Sequence, residues 1–187
     1  MNGLESLVAA LNSTFSPSTD AVSEGEKHLR VLETQPSYTQ ALLRILAAPD
    51  VPPQTKLAAA IALKRVVSKR WGELPPDDVA FIKSNILDAL CSVPNLSVRK
   101  QLAIVVGTVA QSEYIQNYAF VTGRLTALIT SNNFSNVHGA LMGIAAILKN
   151  FCFMHNQGAD TMSKKISKTS LFISNYHLNS NLIRILL

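Results

Sequence analysis

The sequence predicts an all-α solenoid, a stack of antiparallel helix pairs wound as a right-handed superhelix. Three observations predict it. Apolar residues recur at the spacing of one helix face in block after block. Glycine and proline, eight of each, fall mostly between those blocks. The blocks themselves return at a nearly constant interval. Sustained period-2 alternation and Asn-Gly or Asp-Gly hairpins between β-branched runs are absent, so no strand is expected.

Leu4, Leu7, Val8 and Leu11 open the chain at i, i+3, i+4, i+7, and Ser16, Pro17, Ser18 and Thr19 end that first helix. A second helix is expected from Thr19 to Glu33 with Val22, Leu29 and Leu32 inward. Pro36 separates it from a third that carries Leu42, Leu43, Ile45 and Leu46, and the short connection should leave those two antiparallel. Pro52 and Pro53 introduce QTKLAAAIALKRVVSKRW, which Gly72, Pro75 and Pro76 stop. Asp77 and Asp78 then occupy a first turn, where carboxylates suit the positive end of the macrodipole. That helix carries Val79, Ile82, Ile86, Leu87 and Leu90 as far as Pro94. VRKQLAIVVGTVA follows Ser97, a seventh helix spans Tyr118 to Ile129, and VHGALMGIAAILKNF makes an eighth after SNNFSN.

With leading helices near Thr19, Gln54, Val98 and Asn136, the intervals are about 35, 44 and 38 residues, close to the roughly 40-residue period of HEAT repeats. Each pair buries one side on the repeat before and another on the repeat after. This accounts for 48% hydrophobic content, a mean hydropathy of +0.20 and only 16% charged residues. The longest apolar run, 139–148, is half of what a bilayer span requires, so no membrane is expected. From about 158 to 187 the composition turns rich in Ser, Asn and Lys without a helical face. That tail is expected to be foreign to a fold of about three and a half pairs in residues 1–157. The stack is expected to be truncated and to expose an apolar end.

Three of the five net positive charges fall after residue 159, which leaves too little for a dense phosphate-binding face; nucleic acid is not an expected partner. Cys91 and Cys152 stand far apart with no metal-ligand spacing and read as small core residues of a reduced compartment. His28, His138, His155 and His177 show no HExxH and no i, i+4 partner, so no metal is expected. No nucleophile elbow and no phosphate-cradling glycine loop occurs, so the reading is of a binding protein and not an enzyme. Lys64, Arg65, Lys69 and Arg70 share one helix, a pattern that more often makes a solvated face than a site.

The segments EGEKHLRVLETQPSYTQALLRILA and LAAAIALKRVVSKRW resemble the opening repeats of the importin-β superfamily, the karyopherins. Leu63, Lys64 and Trp71 match the family's Leu-Lys-Asn…Trp pattern, with Arg65 where Asn is usual. DDVAFIKSNILDAL and VRKQLAIVVGTVAQSEY extend the likeness, greatest toward exporters of importin-α, to about residue 114. After Tyr114 the family's proline and Trp-Pro pair are replaced by IQNYAFVTGRL, and NVHGALMGIAAILKNF regains the fourth repeat.

The resemblance implies a receptor that needs no cofactor and moves between nucleus and cytoplasm through the nuclear pore. Its implied partners are Ran-GTP, importin-α as export cargo, and nucleoporins. An import receptor or a general HEAT scaffold are the competing readings. Trailing helices are expected to face Ran, with Gln40, Arg44, Lys83, Asp88 and Arg124 as the contacting residues and Arg44 and Lys83 suited to an acidic surface.

Overall fold

The computed structural model describes residues 3–112 and 118–155, with the side chains of 3–112 and 123–150. Among these residues every regular element is helical. They are α1 (Gly3–Ser13), α2 (Thr19–Leu32), α3 (Tyr38–Ala47), α4 (Pro53–Arg70), a 3₁₀ turn (Trp71–Glu73), α5 (Pro76–Ser92), α6 (Leu96–Ser112), α7 (Tyr118–Ile129) and α8 (Phe134–His155). The Ser/Asn/Lys-rich stretch from 158 onward lies outside the described residues.

Local chemistry sets the helix starts. Ser18 caps α2 by accepting from the Ala21 N–H at 3.5 Å. In each Pro-Pro pair the second proline is the first helical residue, Pro53 of α4 and Pro76 of α5, where its missing N–H has no partner to lose. The Asn95 side chain accepts from Val98 N–H at 3.1 Å, and Asn133 from Ser135 and Asn136 at 2.9 and 3.2 Å. These two caps move the starts of α6 and α8 slightly earlier than the apolar pattern suggested. Leu4, expected inward, is exposed at the first turn of α1, while Ala10 joins Leu7 and Leu11 in the core.

The helices group one step out of phase with the expected pairs. α1 packs on α2, α3 on α4, α5 on α6 and α7 on α8, so the described helices form four pairs with the same period. The expected close partnership of α2 with α3 gives way to α3 on α4 and α5. The physical reason is that every connection is short and nearly every helix is apolar on two sides. Loop length and periodicity therefore fit either phase, and shape complementarity decides.

Two layers result. In one, α4 packs on α6 and α6 on α8; in the other, α3 packs on α5, and α7 is tied to α5 through Arg124. Leu42, Ile45, Leu46, Leu63, Ile82, Leu90, Leu102, Leu125, Ile144 and Ile147 are fully buried along the seam between them. Each such side chain contributes about 1.5–3 kcal/mol of burial. Small residues let the first layer close up. A Cβ on Gly107 of α6 would stand 3.0 Å from the Ala146 carbonyl oxygen of α8. Between the layers, a Cβ on Gly139 of α8 would meet Cys91 Sγ of α5 at 2.8 Å.

Candidate functional site

Among the residues expected to contact Ran, Gln40, Arg44, Asp88 and Arg124 make contacts between helices, while Arg44 and Asp88 stay exposed. Gln40 of α3 donates its amide to Asp78 of α5 at 2.7 Å. Arg44 of α3 lies over the Phe81 ring of α5, 5.8 Å from its centroid. Arg124 of α7 donates to Asp88 and to the Ser84 carbonyl of α5, each at 2.6 Å. Lys83 is half-buried on the same helix. The structure thus brings Gln40, Arg44, Asp88 and Arg124 together as a row of ties along α3, α5 and α7.

Asp78 is more than the helix cap read from the sequence: it is a buried carboxylate whose bond to Gln40 joins neighbouring pairs. The family-motif residues separate by role. Leu63 is fully buried, Lys64 donates to Gln101 of α6 at 2.8 Å, and Trp71 packs against the core where α4 ends.

The other layer carries a charge pattern that no single helix reveals. The spans Pro53–Arg70, Leu96–Ser112 and Phe134–His155 contain no Asp or Glu. Their solvent sides present Lys64, Lys69, Lys100 and Lys149 around the exposed apolar residues Ile61 and Ile104. Lys64 is held by a neutral amide, so its charge is not cancelled. Carboxylates enter at the edge of this face, where Glu33 accepts from Arg65 at 2.5 Å and stands 3.8 Å from Arg70, and where Glu73, just past α4, accepts from Arg70 at 2.8 Å. The sequence showed the α4 part of this face. Its continuation onto α6 and α8 follows from the layer, which brings helices about 40 residues apart side by side.

Arg99 was not singled out by its sequence pattern, yet it is the one buried arginine among the described residues. Its guanidinium donates to the carbonyls of Val93 at 2.5 Å and Cys91 at 2.8 Å, and to Ser135 Oγ. These carbonyls belong to the end of α5, so a cation sits at the negative pole of that helix. A guanidinium only donates, which makes His138 Nδ1, 2.8 Å away, the acceptor. Arg99 therefore clasps α5, α6 and α8. Beside it, burial pushes the Cys91 thiol pKa up, against a smaller downward pull from Arg99. Among the described residues no group of three or more His, Cys, Asp or Glu is placed to share a metal ion, and no helix is long and apolar enough to cross a membrane.

Comparison with known proteins agrees with the fold and the resemblance. Residues 25–92 match the importin-beta N-terminal domain. The importin alpha re-exporter of Saccharomyces cerevisiae is 26% identical over 155 residues, which are 80% of this chain and 16% of that protein. Importin-8 of Danio rerio is 23% identical over 171 residues, 83% of this chain and 16% of its own length. The solved structure of the exportin Cse1 in its cargo-free, cytoplasmic state superposes with a TM-score of 0.78 at 24% identity, covering 97% of this chain and 19% of that one. This chain is an all-α HEAT-type solenoid in which residues 25–92 match the importin-beta N-terminal domain, and it spans about a sixth of the length of the relatives it matches.

Proposed function

We propose that this chain is the N-terminal part of a nuclear transport receptor, acting by binding alone, that grips Ran in its GTP-bound state and exports importin-α. The observation that carries this reading is the coincidence of the importin-beta N-terminal domain at 25–92 with a likeness to the importin alpha re-exporter across four fifths of the chain. Such a receptor shuttles between nucleus and cytoplasm and meets nucleoporins on the way. Coupling between Ran and cargo is then a free energy shared by two sites on one stack of helices.

The docking face we assign to Ran is the carboxylate-free side of α4, α6 and α8. A continuous cationic surface with apolar residues at its centre suits a partner that presents carboxylates around a hydrophobic contact. Gln40, Arg44, Lys83, Asp88 and Arg124 act from the other layer, holding α3, α5 and α7 in register.

The immobilised chain should capture Ran loaded with a non-hydrolysable GTP analogue and leave Ran-GDP in solution. Changing Lys64, Lys100 and Lys149 together to Glu should cut that capture at least tenfold. Equal capture of both nucleotide states would overturn the transport reading. Undiminished capture by the triple variant would overturn only the face. An import receptor is the second reading, favoured by the likeness to importin-8 and to human transportin-1, 24% identical over 148 residues. The two separate on whether Ran-GTP strengthens importin-α binding, as export demands, or releases the bound cargo, as import demands.

A further inference from the structure

A cleft of about 270 Å³ lies where the loop after α2, the first turn of α3, the end of α4 and the start of α5 meet. It falls below the ordinary size of a drug-like pocket, roughly 300–1,000 Å³, and suits a single side chain. Two observations point to a ligand. Tyr38 and Thr39, only 5% and 1% exposed, both line it, and their hydroxyls are buried without a hydrogen-bond partner. Such groups are normally satisfied, so a pair lining one cleft marks an unmet demand. Asp78 lines it too, a buried carboxylate bonded only to the neutral amide of Gln40.

The sign of the ligand follows from the charges. The starts of α3 and α5 would by themselves attract an anion. Asp78 already stands at the start of α5, and Glu33 and Glu73 add two more carboxylates to the lining against Arg70, with Arg65 beside it bonded to Glu33, so carboxylates still outnumber cations there. Arg70 also displays the chemistry in place. Its Nε donates to Glu73 at 2.8 Å and its Nη1 lies 3.8 Å from Glu33, so one guanidinium bridges the two sides. Burial pushes the Tyr38 pKa up to about 12, which keeps its phenol neutral, able to accept from a cation.

We propose that this cleft receives one arginine side chain from a protein partner, its guanidinium set among Asp78, Tyr38 and Thr39 and competing with Arg70 for Glu73 while Arg65 keeps Glu33. Arginine fits better than lysine because its planar fork offers five donors to acceptors placed on different sides. The site does not depend on what binds α4, α6 and α8.

The test is NMR titration of the full chain with Nα-acetyl-arginine methylamide, its neutral citrulline isostere, and free arginine. The arginine probe should shift the amides of Tyr38, Thr39 and Asp78 and bind at least tenfold tighter than the citrulline probe. Tyr38→Phe and Thr39→Val should each weaken it severalfold while the melting temperature holds or rises, since each removes an unsatisfied buried hydroxyl. Arg70→Met should tighten it severalfold by removing the internal competitor. Equal binding of the citrulline probe, unchanged affinity in both hydroxyl variants, or weaker binding to the Arg70 variant would each overturn the proposal. Free arginine binding far tighter than the blocked probe would also overturn it, by making the ligand a small molecule and not a protein side chain.

Discussion

The two layers of this solenoid are held by different means. α4, α6 and α8 close on one another through small residues: Ala58, Ala59, Ala60, Ala62, Gly107, Ala140 and Gly143 are buried on them. The layer of α3, α5 and α7 is joined instead by long side chains, with Gln40 reaching Asp78, Arg44 lying over Phe81 and Arg124 reaching Asp88. The difference teaches how a repeat protein can keep charges available. Close backbone packing leaves the lysines of one layer clear of carboxylates, while the other layer uses its charged groups to hold itself together.

The clasp between the layers is the place to break this contrast most severely. Arg99→Ala leaves the Val93 carbonyl without its side-chain donor, leaves the Cys91 carbonyl to Ser135 Oγ alone and empties the space of the stem. A loss of about 3–5 kcal/mol is expected in urea unfolding. If both layers are joined there, helix loss and core exposure will stay coincident in the variant.

Next in size is an alkaline effect confined to α3. The folded Tyr38 pKa of about 12 stands above the ordinary 10, so between those values the unfolded chain releases a proton that the native chain keeps. Stability therefore falls as pH rises from 10 toward 12, by roughly 2–3 kcal/mol. Tyr38→Phe should remove that part of the slope, measured as denaturant midpoints across the pH series.

Gly107→Ala tests the close-packed layer. Helix propensity alone favours alanine by about 1 kcal/mol, yet the added methyl would press on a backbone carbonyl at 3.0 Å. A net loss of about 1–2 kcal/mol is expected. At Gly143 an added Cβ would find only side-chain carbons at 3.5–3.6 Å, so Gly143→Ala should gain about 0.5 kcal/mol in the same thermal melts. Equal signs at the two positions would remove the packing argument.

The smallest effect belongs to the tied layer. Asp88 is 61% exposed and Arg124 31%, and a double-mutant cycle on the pair should return no more than about 1 kcal/mol, shrinking in high salt. A larger coupling would mean that the ties, and not the core beneath them, hold α5 to α7.

Most helices were legible because their signals are local. The Pro-Pro starts, the apolar spacing of Ile82, Ile86, Leu87 and Leu90, and the bounds of α7 required only neighbours in the chain. The contact residues were less legible. Polarity predicts the exposure of Arg44 and Asp88, but it does not by itself reveal that Gln40, Arg44, Asp88 and Arg124 also reach the next pair. Arg99 lacked any signal for the same reason: a cation at Val-Arg-Lys in a first turn reads as exposed until α8 folds over it.

The sequence by itself determined the helices, their period near 40 residues and the likeness to the importin-β superfamily. Spacing, prolines and caps act within a few residues and need no partner. Only the tertiary structure decided which helix pairs with which, that the carboxylate-free spans of α4, α6 and α8 form one face, and that Tyr38, Thr39 and Asp78 line one cleft. Each of these depends on residues 30 to 45 positions apart meeting across a layer. That meeting is set by the fit of two-sided apolar helices against one another, a property of surfaces in contact and not of spacing along the chain.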